Sequence, residues 1–192
     1  MRPSRLARPR ARRLPTASSQ ARRSEDVKVL WAPWRLGYVS SVDSGTGCIF
    51  CDKPRASTPE ARNEHLVLRT TEHASVLMNM FPYANGHLMV APRAHTAEYA
   101  TLDAVTSQAL QCELQRSVRV LTRAFSPAGF NIGMNLGRAA GAGITEHLHW
   151  HVVPRWVGDT NFMPALADTR VMPEHIANTY SRLLPLFEDD KE

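Results

Sequence analysis

Apolar positions along the chain change their period several times, and each change marks a new element. His65 to Arg69 and Ala74 to Asn79 are short runs of strand character, parted by the polar turn Thr70-Thr71-Glu72-His73. Phe81 to Gly86 is a loop punctuated by Pro82, Asn85 and Gly86, and His87-Leu88-Met89-Val90-Ala91-Pro92 is another strand, closed by proline. From Leu102 to Phe125 the period becomes helical: Leu110, Leu114, Val118 and Leu121 recur at intervals of four, four and three and make one apolar stripe. Thr101 or Asp103 can cap its start through a side-chain oxygen, and Ser126-Pro127-Ala128-Gly129 ends it. Phe130 to Leu136 alternates as a strand, with Asn131, Gly133 and Asn135 on one face and Phe130, Ile132, Met134 and Leu136 on the other. A second helix, roughly Pro173 to Leu184, closes the pattern. Strands in antiparallel succession with one long and one C-terminal helix predict an α+β fold, its helices packed on one face of a sheet.

One further alternation is unusual in its composition. In His147-Leu148-His149-Trp150-His151, followed by Val152-Val153-Pro154, the histidines stand at i, i+2 and i+4. A strand of period two turns all three imidazoles to one face, where a helix would scatter them. Imidazole titrates near neutral pH, attacks electrophiles and binds metals, so this face is the candidate site.

Composition shifts the picture at the N-terminus. The formal charge of +5 over 192 residues suggests nucleic acid until it is located. Nine Arg and Lys residues and only two acids fall within residues 1–28, so that segment carries +7 and the rest −2. With Pro3, Pro9 and Pro15 and few large apolar residues, residues 1–28 are expected to be a disordered basic tail, and residues 29–188 a single catalytic domain. The tail has no interleaved aromatic residues for stacking bases, which points away from nucleic acid as a partner. No apolar run reaches the roughly 18 residues of a membrane span. Cys48, Cys51 and Cys112 are too few for a secreted disulfide framework, so a reducing, cytoplasmic compartment is expected. The Arg-rich, acid-poor tail also has the composition of an organelle transit peptide, the alternative location.

Between the alternating strand and the histidines lies a loop of small residues, Gly137 to Gly143. Such a loop leaves backbone N–H groups uncovered and lets an anion approach, which suits phosphate. Cys48-Ile49-Phe50-Cys51 has the Cys-x-x-Cys spacing of two zinc thiolates or of a redox pair.

These residues carry a resemblance. His147-Leu148-His149-Trp150-His151-Val152-Val153 is similar to the His-φ-His-φ-His-φ-φ signature of the histidine triad (HIT) family of nucleotide hydrolases and transferases. Asn79, Gly86 to Pro92 with His95, and Asn131 to Gly137 resemble the segments that surround it, so the likeness spans about residues 30–184. Leu30-Trp31-Ala32-Pro33-Trp34-Arg35 and Pro154 to Phe162 resemble the branch that includes bacterial diadenosine tetraphosphate phosphorylases and related hydrolases.

The resemblance implies a HIT-like antiparallel sheet in a homodimer and assigns roles residue by residue. His149 would attack the α-phosphorus of a nucleotide and carry a nucleotidyl-imidazole intermediate. His151 would contact phosphate and deliver a proton to the leaving group. The backbone carbonyl near His147 would fix the tautomer of His149, Asn79 would bind the ribose, and Asn135, Gly137 and Thr145 the phosphates. Some members complete a closed structural zinc site with four ligands, here Cys48, Cys51, His95 and His147; no organic cofactor is implied. Many hydrolases of the family carry Gln where this chain has Ala142, and its uridylyltransferases carry Gln where this chain has its third histidine. Two other readings stand beside this one: a hydrolase using the three histidines as ligands of catalytic zinc, and a nucleotide-binding module without turnover. His87 reads equally as a core histidine or as a support for the site; His65, His73 and His175 read as surface, and Cys112 as packing.

Overall fold

A computed structural model of the chain describes residues 47–159 and 173–190. The expected basic tail, the Leu30–Arg35 arm, nearly all of the loop before Cys48 and the end of the Pro154–Phe162 run lie outside the described residues. After a short helix α1 (Ile49–Asp52) and a 3-10 turn (Lys53–Arg55) comes α2 (Pro59–Glu64). Strands β1 (Val67–Thr70), β2 (Ala74–Met78) and β3 (Leu88–Pro92) follow, then the long helix α3 (Ala104–Phe125), β4 (Gly129–Met134), β5 (Trp150–Arg155) and α4 (Ile176–Asp189).

The strands form one antiparallel sheet in the order β1-β2-β3-β5-β4. Every residue of β2 and β3 is buried, as central strands covered on both faces must be. One face packs Leu68, Val76, Leu88, Val90 and Val152 against Leu110, Leu114 and Leu121 of α3 and Leu183 and Phe187 of α4. The α3 stripe read from the sequence is therefore the core stripe, with Val118 half-buried beside it. Its cap is Asp103, whose carboxylate accepts from the Thr106 N–H at 2.8 Å. The opposite face packs Val67, Leu77, Met89 and Ala91 under Phe50 of α1.

Three elements depart from the sequence reading. The helix α4 continues through Pro185 to Asp189, because Phe187 is fully buried against the core and its packing outweighs one lost backbone hydrogen bond. The strand β4 ends at Met134, before Leu136, and its apolar face is only partly covered: Ile132, like Leu136 beyond the strand, is about half exposed, since β4 lies at the sheet edge. His147 and His149 precede β5 rather than belonging to it. The ladder begins at Trp150, and the Leu148 N–H instead bonds the Thr96 carbonyl at 2.7 Å. Alternation gives side-chain direction, but among the described residues no strand lies beside residues 147–149 to complete a ladder.

Candidate active site

Although only His151 lies within β5, the three histidines remain neighbours on the Phe50 face of the sheet. His149 and His151 have ring centroids 5.0 Å apart, and the Phe50 ring stacks on His149 at 4.8 Å and touches His147 at 5.3 Å. Each ring is tied down by a different acceptor or donor, and those ties set where each carries its proton.

His149 places Nδ1 2.9 Å from the backbone carbonyl of His147. A carbonyl only accepts, so Nδ1 bears the hydrogen and Nε2 keeps its lone pair. Burial against Phe50 pushes the pKa of His149 below the ordinary imidazole value, with the carbonyl bond opposing this in part. The ring is thus neutral, with Nε2 basic and nucleophilic, at physiological pH.

His151 is set the opposite way by His87. The Tyr83 backbone N–H donates to Nδ1 of His87 at 3.1 Å, with the Asn79 amide nitrogen 3.4 Å from the same atom. A backbone N–H can only donate, so the His87 hydrogen resides on Nε2, which lies 3.0 Å from Nδ1 of His151. Nδ1 of His151 accepts, leaving Nε2–H as a donor. His87 is buried and supports the site, which joins the two roles the sequence left open. The loop before it depends on Gly86, at φ +74°, where a Cβ would stand 3.0 Å from Leu121 and 3.1 Å from Phe125.

Asn79 is buried, and its Oδ1 accepts from the Phe81 N–H at 2.9 Å, so it braces this same loop. Asn135, Gly137 and Thr145 lie on the segment joining β4 to the histidines. Asn135 donates to the Gly141 carbonyl at 3.4 Å, Gly137 takes φ +78°, and the Thr145 hydroxyl donates to Glu146 at 2.9 Å.

His147 belongs to a different cluster. Its Nε2–H donates to the Pro92 carbonyl at 2.9 Å, which frees Nδ1 to face Cys48 Sγ at 3.2 Å and Cys51 Sγ at 3.6 Å. Nδ1 of His95 lies 3.3 Å from Cys51 Sγ. Ligand atoms of all four residues lie within 4.8 Å of one another, so the set could hold a metal ion. Around a tetrahedral zinc, sulfur and nitrogen ligands stand about 3.6 Å apart, close to the separations found. A histidine ligand whose second nitrogen donates to a carbonyl is the usual supporting arrangement. Burial and the adjacent Cys48 push the Cys51 thiol up, a cost that a dication between the sulfurs removes. With His147 turned to the cysteines and His149 and His151 each bonded elsewhere, the geometry gives no support to three histidines sharing one catalytic metal.

The structure thus brings Cys48, Cys51, His95 and His147 into one cluster, and His149, His151 and Asn79 into another through His87. Sequence reasoning missed Phe50 and the supporting backbone of Tyr83. Phe50 could have been suspected as the aromatic residue between the two cysteines; the Tyr83 N–H leaves no trace in residue type.

Comparison with known proteins points to one family. The family model described as HIT domain matches residues 60–157. The AP-4-A phosphorylase of Mycobacterium tuberculosis is 33% identical over 159 residues, covering 81% of this chain and 82% of that protein. The bis(5'-adenosyl)-triphosphatase of Dictyostelium discoideum is 28% identical over 129 residues, covering 64% of this chain and 85% of that protein. Among solved structures, a Zn-bound histidine triad family protein from Mycobacterium smegmatis is 25% identical, covers 74% of this chain and 94% of its own, and superposes with a TM-score of 0.57. With its triad in place and the family model spanning half its length, the chain belongs to the HIT domain family.

Proposed function

We propose that this protein is a nucleotidyl hydrolase or transferase that cleaves dinucleoside polyphosphates of the diadenosine tetraphosphate kind. The observation that carries the reading is the pair of adjacent imidazoles in opposite tautomers, His149 with a free lone pair on Nε2 and His151 with a proton on Nε2. The names of the Mycobacterium tuberculosis and Dictyostelium relatives support the substrate class.

In the proposed reaction Nε2 of His149 attacks the α-phosphorus in line. The P–N bond forms as the bond to the bridging oxygen breaks, and that oxygen leaves with the electron pair and receives the proton from Nε2 of His151. In the second step water or inorganic phosphate attacks the phosphorus, the P–N bond breaks, and His149 recovers its lone pair. His151 takes back its proton from the attacking water or from the attacking hydrogen phosphate. Asn79 serves the ribose side, while Asn135, Gly137 and Thr145 serve the phosphates. Ala142 offers no side-chain amide to the scissile phosphate, which leaves room for phosphate as the acceptor.

Cys48, Cys51, His95 and His147 would hold a structural zinc ion, a role favoured by the full set of four protein ligands and by the Zn-bound relative. When bound, it would fasten the segment carrying Phe50 to the histidines. A reducing compartment such as the cytoplasm keeps these thiols available. Among the described residues no helix is long and apolar enough to cross a membrane. The second edge of β4 pairs with no strand among the described residues, and the half-exposed Ile132 beside it suits a homodimer joined along that edge.

Incubation with diadenosine tetraphosphate, with and without inorganic phosphate, tests the reading. ADP plus ATP formed only with phosphate identifies a phosphorylase, and AMP formed without it a hydrolase. No turnover in either condition sinks the proposal.

A further inference from the structure

We infer that Arg138 reads the charge of the leaving polyphosphate, an inference that rests on the function proposed above. A dinucleoside polyphosphate brings several negative charges to a site whose reacting groups are imidazoles rather than permanent cations. Small-residue loops ordinarily meet such charge with backbone N–H groups, but here three of the seven from Gly137 to Gly143 are spent within the loop. The Ala140 and Ala142 N–H groups both donate to the Gly137 carbonyl, at 3.2 and 3.3 Å, and the Gly141 N–H donates to the Arg138 carbonyl at 3.0 Å. The loop is closed on itself, hinged at Gly137 and Gly141, with φ +78° and +91°. Ala142 has no side-chain amide, and the Thr145 hydroxyl is turned to Glu146.

The cation this loop itself carries is Arg138. It is the sole Lys or Arg between Arg123 and Arg155 in the sequence. It is exposed, and among the described residues its guanidinium has neither an ion pair nor a hydrogen bond. Pairing of Gly133 with His151 and of Met134 with Trp150 starts this loop beside the histidines, and its far end runs directly into His147. Guanidinium meets phosphate oxygens through a planar fork of donors, so Arg138 suits an extended anion departing past the loop, and equally inorganic phosphate entering along the same path.

The test compares kcat/KM for diadenosine tetraphosphate with that for adenosine 5′-phosphoramidate, whose leaving group carries no phosphate. Arg138→Ala should lower the ratio of the two constants about ten-fold, chiefly through KM for the tetraphosphate. Arg138→Lys should restore part of it, and Arg138→Glu should lower it further. A ratio that stays constant across these variants overturns the role of Arg138 while leaving the proposed function standing. A wild-type protein that turns over neither compound overturns both.

Discussion

Nε2 of His87 stands 3.0 Å from Nδ1 of His151, and the Tyr83 backbone N–H on the far side of His87 determines which of the two nitrogens carries the proton. The proposed acid, which must give up a proton at Nε2, is thereby held in the one neutral tautomer that has a proton there. His87→Ala should lower kcat about ten-fold, a share of what general acid catalysis contributes, with little change in KM. His87→Gln, whose amide N–H can still donate to His151, should recover part of the loss. Because the acid matters most when the leaving group is basic, the deficit should grow for substrates with poorer leaving groups. Equal losses for good and poor leaving groups would count against a positioning role.

His149→Ala removes the proposed nucleophile and leaves the Phe50 wall and the His87–His151 pair in place. Turnover should fall by several orders of magnitude while nucleotide still binds, as equilibrium titration with a non-hydrolysable dinucleotide would show. Substantial remaining activity would remove the covalent mechanism.

In the proposed mechanism the reactive form of His149 is the neutral one, and burial holds its pKa below the ordinary value near 6.5. Activity is present above the folded-state pKa and is lost as pH falls through it. The acidic limb of kcat/KM should therefore lie below about pH 6.5. A limb at or above that value would mean that the ring is hydrated in solution.

Much of this was legible in the chain because period and punctuation are local. The α3 stripe, the Asp103 cap and the β2–β3 succession follow from residues close in sequence. The six-residue α2 carries no stripe; its only signals are the Thr58 cap, which accepts from the Ala61 N–H at 3.2 Å, and Pro59 at the first turn. The His87–His151 pair could not be read, since it requires β3 to lie beside β5 in a register that sets Met89 against His151. The spacing of Cys48 and Cys51 suggested half of a metal site, but His95 and His147 joined it only through the family resemblance, because the fold alone closes a separation of nearly 100 residues.

Removal of zinc should separate stability from chemistry. Cys51→Ser leaves three ligands, and the loss should appear as lower metal content and a lower melting temperature, with α1 and Phe50 loosened first. Metal analysis beside thermal unfolding checks this. A purified protein that holds no zinc and melts unchanged when Cys51 is replaced would show that the four residues serve as thiols and imidazoles only.

Asp190 offers a stability prediction far from the histidines. It follows α4 and accepts from Arg116 at 3.1 Å and Arg119 at 2.8 Å on α3, joining the two helices that cover one face of the sheet. The Arg119 hydrogen bond, aided by the nearby charges, holds its carboxyl below the ordinary carboxylate range. A depressed folded-state pKa stabilises the protein above the unfolded-state value, near 3.9, and that stabilisation disappears as pH falls through the folded-state value. Asp190→Asn should cost about 1–2 kcal/mol at pH 7, the scale of a charge-assisted hydrogen bond in a half-shielded site. The difference from wild type should stay constant down to about pH 4 and shrink below it, as protonation removes the same charge from the native residue. Urea unfolding of both proteins across that range measures the difference directly, and a gap that persists undiminished at pH 2 would assign the loss to packing rather than to charge.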